Sequence, residues 1–78
     1  MPPEEILKLT RRVPFEPFRI RLSNGSVYEI RHPEAVLVER RVIVIGLSGQ
    51  PNAQAPFERS DIVPLLHVAQ LERLPVAS

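Results

Sequence analysis

Nine prolines divide this 78-residue chain, and they limit its possible folds more than any other feature. Proline inside a helix costs roughly 3 kcal/mol, and inside a central strand it removes a hydrogen bond from the sheet. Between Pro17 and Pro75, the longest stretch without proline runs from Glu34 to Gln50, and Val and Ile dominate its centre. The chain is therefore predicted to form one short helix followed by short strands.

The helix is predicted from Pro3 to about Arg12. Proline is well tolerated at the first helical position, because an N–H group there would have no partner within the helix. Ile6, Leu9 and Val13 recur at a spacing that gathers them on one side of a helix, and Pro14 ends the segment. A helix of about ten residues is marginal in isolation, so we expect it to pack against the rest of the chain.

A β-hairpin is predicted next, because Phe18–Leu22 and Val27–Arg31 both alternate apolar and polar residues around Asn24-Gly25. A two-residue loop would place apolar residues opposite charged ones. A three-residue loop, Ser23–Gly25, keeps the apolar residues on one face and favours a type I turn with Gly25 in the left-handed conformation. The apolar pairs are then Ile20 with Tyr28 and Phe18 with Ile30.

Two apolar segments, Ala35–Glu39 and Val42–Ile45, follow on either side of Arg40-Arg41. They fit a second hairpin with a charged tip, and they fit equally well one long, bent strand with a bulge at the arginines. The sequence leaves both readings open.

The remainder is predicted as an exposed loop and further strands. Ser48 to Pro56 is polar, small and proline-bearing, which is typical of a surface loop. Phe57 to Val63 is predicted to be a strand that Pro64 ends. Val68 to Leu74 fits helical spacing as well as a strand, and we favour a strand because the segment is short.

These segments predict a single domain over residues 1–78 of mainly β class. An N-terminal helix (3–12) precedes short antiparallel strands within 17–47 and 57–74, with the exposed loop at 48–56. The strands form a small, strongly bent sheet or barrel of five strands, with a sixth as the alternative. The chain has no Cys, hence no disulfide, and so small a core leads us to expect a homo-oligomer.

Composition and motifs exclude several classes of function. Ten Lys and Arg against nine Asp and Glu give a net charge of +1, unlike a strongly basic nucleic-acid coat. No apolar run approaches the 18 or so residues of a membrane span, and no apolar signal core opens the chain, so we expect a cytoplasmic protein. Without a Gly-rich phosphate loop or a defensible Ser-His-Asp spacing, we expect no enzyme and no cofactor. His32 with Glu34 provides too few ligands for a metal.

The order of one helix and short, curved antiparallel strands resembles that of the Sm/LSm-like small β-barrel proteins. Ile20 to Gly25 is similar to the first strand and turn of the bacterial Sm-like RNA chaperones of the Hfq family, and His67-Val68-Ala69 resembles the His-bearing turn before their last strand. Most of the chain also resembles a set of small uncharacterised bacterial proteins. The shared motifs are Pro-Phe-x-Pro-Phe-Arg at 14–19, Arg-His-Pro-Glu at 31–34 and Leu-Leu-His-Val at 65–68.

The resemblance implies a ring of five to seven subunits that binds RNA. The resemblance suggests His67 as a nucleic-acid contact. The sequence offers further candidate contacts in His32 and in a positively charged strand face with Arg19, Arg21 and Arg31. The alternative is a purely structural role, in which His67 orders a turn and Glu16 and Glu29 neutralise the arginines across the strands. Tyr28 is assigned to the core, so no exposed aromatic stacking platform is expected.

The alternative function is a protein-interaction or assembly module on the same barrel, with no role in nucleic-acid binding. It is favoured by departures from the Sm pattern. His32–Ala35 stands where the RNA-contacting loop of Sm proteins carries Asp and Asn, and Leu65-Leu66 stands where the chaperones carry Tyr-Lys.

Overall fold

The computed structural model describes residues 1–47 and 57–75. Helix α1 spans Pro3–Thr10, two residues shorter at its end than predicted, because the chain leaves the helix at Arg11, whose N–H donates to the Leu7 carbonyl at 2.9 Å. Proline occupies the first turn as expected. Ile6 is fully buried, so the helix is held by packing against the sheets.

In the described part of the chain six strands follow the helix, and neighbouring strands in each sheet are antiparallel. They are β1 (Phe18–Leu22), β2 (Val27–Ile30), β3 (Val36–Val38), β4 (Val42–Leu47), β5 (Arg59–Pro64) and β6 (Val68–Arg73). They form two three-stranded sheets, ordered β2-β1-β6 and β3-β4-β5. Among the described residues no strand pairing closes either sheet into a barrel. The mainly β class with an N-terminal helix is thus confirmed, and the described residues form six strands.

The first hairpin has the predicted pairing and loop, and its second strand ends at Ile30, one residue before the predicted Arg31. Ile20 pairs with Tyr28 and Phe18 with Ile30. The Gly25 N–H donates to the Leu22 carbonyl at 3.0 Å, and Gly25 has a φ of +92°, as the three-residue loop requires. Asn24 Oδ1 also accepts a hydrogen bond from the Ser26 N–H at 2.9 Å. The turn is therefore set by local chemistry.

The second apolar region is a hairpin and not one bent strand. Val36 pairs with Ile45 and Val38 with Ile43, and the Glu39 N–H donates to the Val42 carbonyl at 2.9 Å, which leaves Arg40-Arg41 at the tip. Two 3₁₀ turns, Pro33–Ala35 and Leu65–His67, precede β3 and β6.

The last two strands also form, with shifted bounds. β5 begins at Arg59 and includes Pro64. Phe57 lies before it, and its ring packs over Gly46, where a β-carbon would come within 2.7 Å of the ring. The strand interpretation of Val68 to Leu74 is confirmed, since Val68–Arg73 pairs with β1. The loop predicted at 48–56 lies outside the described residues.

One apolar cluster joins the two sheets and the helix. Its fully buried members come from α1, β1, β2 and β4, and they are Ile6, Phe18, Ile20, Ile30, Ile43 and Ile45. Fully burying such a side chain is worth roughly 1.5–3 kcal/mol. The inner faces of both sheets therefore form the core, and their outer faces are exposed to solvent.

Candidate interaction surfaces

The outer face of the β2-β1-β6 sheet carries a network of paired charges. Arg19 lies directly across from Glu29 on one side and Glu72 on the other. Its Nη2 is 3.1 Å from Glu29 Oε1, and Arg21 Nε donates to Glu72 Oε1 at 2.8 Å. Arg31 Nη2 donates to Glu29 Oε2 at 3.0 Å. Strand register thus alternates the two signs of charge across the sheet.

The network lowers the pKa of the exposed Glu29 carboxylate. Hydrogen bonds from the Arg19 and then the Arg31 guanidinium hold the pKa of Glu29 below its usual range. Three guanidinium groups and two carboxylates leave little net positive charge for a phosphate backbone. The structure brings the predicted Arg19, Arg21 and Arg31 together, but pairs them with acidic partners.

One of the predicted acidic partners is wrong. Glu16 does not reach the strand arginines, because it lies 3.4 Å from Arg12, four residues before it. Glu72 takes that role, from a strand 51 residues beyond Arg21 in the chain. Glu29 is confirmed as a cross-strand partner.

The two histidines lie at separate turns. His67 ends the Leu65–His67 turn with its side chain exposed, and its carbonyl accepts a hydrogen bond from the Ser23 N–H at 2.9 Å. His32 is exposed ahead of the Pro33–Ala35 turn, and its carbonyl accepts from the Ala35 N–H at 3.0 Å. Neither His side chain has a hydrogen bond within the described part of the chain. The five candidate nucleic-acid contacts therefore do not converge on one site.

His67 lines an open cleft of about 520 Å³ together with Asn24, Tyr28 and Asp61. Tyr28 Oη donates to Asp61 Oδ2 at 2.6 Å, which links the two sheets through their side chains. This hydrogen bond, more than the partial burial, raises the pKa of the Tyr28 hydroxyl. The ring of Tyr28 packs against the core as expected, while its hydroxyl reaches this cleft.

Ser60 lines the same cleft, so the three residue types of a hydrolytic triad are neighbours there. A triad requires a hydrogen bond between the nucleophile and its base. Among the described residues, no hydrogen bond joins His67 to Ser60 or Asp61, and the Asp61 carboxylate accepts from Tyr28. The hydrogen bond between Tyr28 and Asp61 therefore connects the two sheets.

The outer face of the β3-β4-β5 sheet is apolar. Leu37 lies across from Val44, and Val44 lies across from Ile62, so the three form one continuous row over three strands. Leu37 is 61% exposed and Ile62 69% exposed. Contiguous apolar surface of this kind on a small protein is typical of an interaction site. We call these residues the apolar row.

A second pocket of about 520 Å³ lies where the tip of the second hairpin meets the Leu65–His67 turn. The Leu65 N–H donates to the Arg41 carbonyl at 2.8 Å, so the two turns are joined. The residues around the pocket are Met1, Arg40, Arg41, Val42, Pro64, Leu65 and Leu66. A charged tip at Arg40-Arg41 is one of the two predicted alternatives for this region, but the sequence does not indicate that the tip lies beside the Leu65–His67 turn.

In the described ranges, 1–47 and 57–75, no three His, Cys, Asp or Glu side chains gather as a metal site would require. No described helix is long and apolar enough to cross a membrane. Comparisons of the chain with protein-family models, with curated proteins and with solved structures find no match.

Proposed function

We propose that the chain is a non-enzymatic assembly and protein-interaction module that works as a homo-oligomer on an Sm-like arrangement of strands. The observation that carries this proposal is the apolar row of Leu37, Val44 and Ile62 on the outer face of the β3-β4-β5 sheet. Fully burying a side chain of this size contributes roughly 1.5–3 kcal/mol of free energy, so removing the row from water would be favourable.

A second copy of the chain is the partner proposed for the row. A chain of 78 residues without Cys has a thin core and gains much from burying a further face. Within the described residues β3 and β5 are the edge strands of their sheet, and the row ends on them, so their outer backbone groups can add to the contact. The Sm-like resemblance points to a closed ring of five to seven subunits with β5 of one subunit near β6 of the next.

RNA binding is the second candidate function. The exposed His67 beside Asn24 favours it, since an imidazole and an amide can hydrogen-bond to a base. The paired arginine face weighs against it, because those guanidinium groups already have carboxylate partners. Titration of oligo-U and oligo-A over a range of salt concentration tests it, and tight, salt-dependent binding that His67→Ala weakens would support it.

Sedimentation velocity of two matched double variants tests the assembly proposal. Leu37→Glu with Ile62→Glu places two charges in the apolar row. Val13→Glu with Val27→Glu makes the same change at two other exposed apolar residues, which are 92% and 41% exposed. We expect the first variant to sediment as a folded monomer and the second to remain an oligomer. If both variants assemble like the wild type, the apolar row is not the interface.

A further inference from the structure

We propose that the pocket between the Arg40-Arg41 tip and the Leu65-Leu66 turn binds an acidic peptide segment that carries an aliphatic side chain. This inference deepens the proposed function and rests on its protein-interaction half, because it names the chemistry of a partner. It concerns a surface different from the apolar row, so the two can be tested separately.

The floor of the pocket is anchored by contacts that hold the two turns together. The Leu65 N–H donates to the Arg41 carbonyl at 2.8 Å, and the Leu65 side chain is buried in the core. The next residue, Leu66, is 91% exposed. A rigid turn thus presents one large aliphatic side chain at a pocket whose wall also includes Val42 and Pro64. A preformed apolar site of this kind loses little entropy when it takes up another aliphatic side chain.

Charge at the rim selects the rest of the ligand. Several arginines elsewhere lie within 4.0 Å of a carboxylate, namely Arg12, Arg19, Arg21, Arg31 and Arg59. Within the described residues Arg40 and Arg41 have no ion pair, and this includes Glu39, their nearest acidic neighbour in the chain. Two adjacent guanidinium groups without acidic partners, beside an apolar pocket, are complementary to carboxylates that flank an aliphatic residue.

The lining favours a peptide over a nucleic acid. Single-stranded RNA binds to grooves that combine cations with aromatic side chains, on which the bases stack. Among the described residues no aromatic side chain lines this pocket, and beside its two arginines it is lined by Met1, Val42, Pro64, Leu65 and Leu66. The pocket therefore offers a place for an aliphatic side chain and none for a stacked base, whereas its cationic groups would accept either kind of anion.

Selection from a random peptide library displayed on phage tests the ligand chemistry without assuming a sequence. With the full wild-type chain as bait, we expect the selected peptides to be enriched in Asp and Glu next to Leu, Ile or Val. Bait with Arg40→Glu and Arg41→Glu should lose that enrichment. Arg11→Glu with Arg12→Glu is the matched control, since it reverses two other adjacent, exposed arginines and should keep it.

Fluorescence anisotropy with a selected peptide then measures the effect. We expect the tip variant to bind at least about tenfold more weakly, with the loss reduced at high salt. Leu66→Ser should weaken binding about threefold or more, and Arg11→Glu with Arg12→Glu should stay within about twofold of wild type. Circular dichroism verifies that each variant is folded.

Three outcomes would overturn the inference. They are a library that gives no acidic–aliphatic enrichment, enrichment that persists with the tip variant as bait, and binding of oligo-U through Arg40 and Arg41 that is tighter than the binding of any selected peptide. The monomeric Leu37→Glu, Ile62→Glu variant separates this inference from assembly. If a monomeric protein binds peptide through Arg40 and Arg41, the peptide-binding inference holds although the assembly proposal fails. If the protein is an oligomer but selects no peptide, only the peptide-binding inference fails.

Discussion

The two sheets of this protein have equivalent inner faces and opposite outer faces. On the β2-β1-β6 sheet, Arg19 is flanked across the strands by Glu29 and Glu72, so each charge finds its partner within the chain. On the β3-β4-β5 sheet, the corresponding position across three strands is occupied by apolar side chains, two of which are more than half exposed. One outer face pairs its charges within the chain, and the other exposes apolar side chains that, in our proposal, a second copy of the chain covers.

This difference indicates that the outer faces of the two sheets have different roles. The charged face needs no further contact, since surface ion pairs of this kind contribute little and leave their side chains hydrated. The apolar face places Leu37 and Ile62 in water although the inner face of the same sheet already supplies Ile43, Ile45 and Val63 to the core. We infer that the first sheet provides the solvent-facing side of the module and the second provides its contact side.

The largest expected effect separates the two faces of β4. Ile43 is fully buried while its neighbour Val44 lies in the apolar row. In the Leu37→Glu, Ile62→Glu background, where assembly makes no contribution, Ile43→Ala should lower the free energy of unfolding by about 2–5 kcal/mol. Val44→Ala should cost less than about 1 kcal/mol. Urea denaturation at one protein concentration measures both, and equal losses would contradict the assignment of the two faces.

The next effect tests the turn that builds the charged sheet. Gly25 has a φ of +92°, and a β-carbon there would meet no atom within 4 Å, so only backbone conformation opposes substitution. Gly25→Val should destabilise by about 1–2 kcal/mol, because a β-branched residue resists the left-handed conformation. Gly25→Asn is the control and should cost clearly less, since Asn adopts that conformation more readily. Unchanged melting of the Val variant would remove the turn assignment.

A smaller effect tests the link between the sheets. Tyr28→Phe removes the hydrogen bond to Asp61 and should cost about 1 kcal/mol, because the bond is charge-assisted but partly exposed. The folded protein raises the pKa of Tyr28, so the stability that it contributes is fully present below the unfolded value of about 10. It is lost as pH rises from there through the folded pKa. Thermal melts across alkaline pH should show this loss in wild type and not in Tyr28→Phe.

The smallest effect concerns the charged face itself. Glu29→Gln removes one acidic partner of Arg19 and Arg31 and should lower the melting temperature slightly at neutral pH and low salt. The folded pKa of Glu29 is depressed, so its contribution is present above the unfolded pKa and is lost as pH falls through the folded value. High salt should abolish the difference from wild type. A large, salt-independent loss would mean that this face is not simply solvated.

The pairing and loop of the first hairpin could be predicted to the residue because their information is local. Alternation in Phe18–Leu22 and Val27–Arg31, with Asn24-Gly25 between them, leaves one loop length that keeps the apolar residues together, and only the end of the second strand differs, at Ile30. The second hairpin could not be separated from a bulged strand, because Val42–Ile45 is apolar on both faces and the pattern of one segment does not show its pairing. The helix was predicted correctly in type, and only its end differed.

The surfaces depend on contacts between distant parts of the chain, and these were missed. Glu72 neutralises Arg21 across 51 residues, and Arg41 meets Leu65 through a backbone hydrogen bond between two turns. The apolar row exists only because Leu37, Val44 and Ile62 share a register across three strands. The double-sided apolar pattern of Val42–Ile45 predicts that the second face of β4 is covered by the helix or by a neighbouring subunit, but it does not predict that Leu37 and Ile62 extend this face.

Multi-angle light scattering of the wild-type chain over a dilution series that begins at low-micromolar concentration tests the central claim most directly. The claim is that the outer face of the β3-β4-β5 sheet is covered by a second copy of the chain. It predicts a mass that is a multiple of 8.8 kDa and that falls toward the monomer in the Leu37→Glu, Ile62→Glu variant. A wild-type mass of 8.8 kDa across the whole series would contradict it.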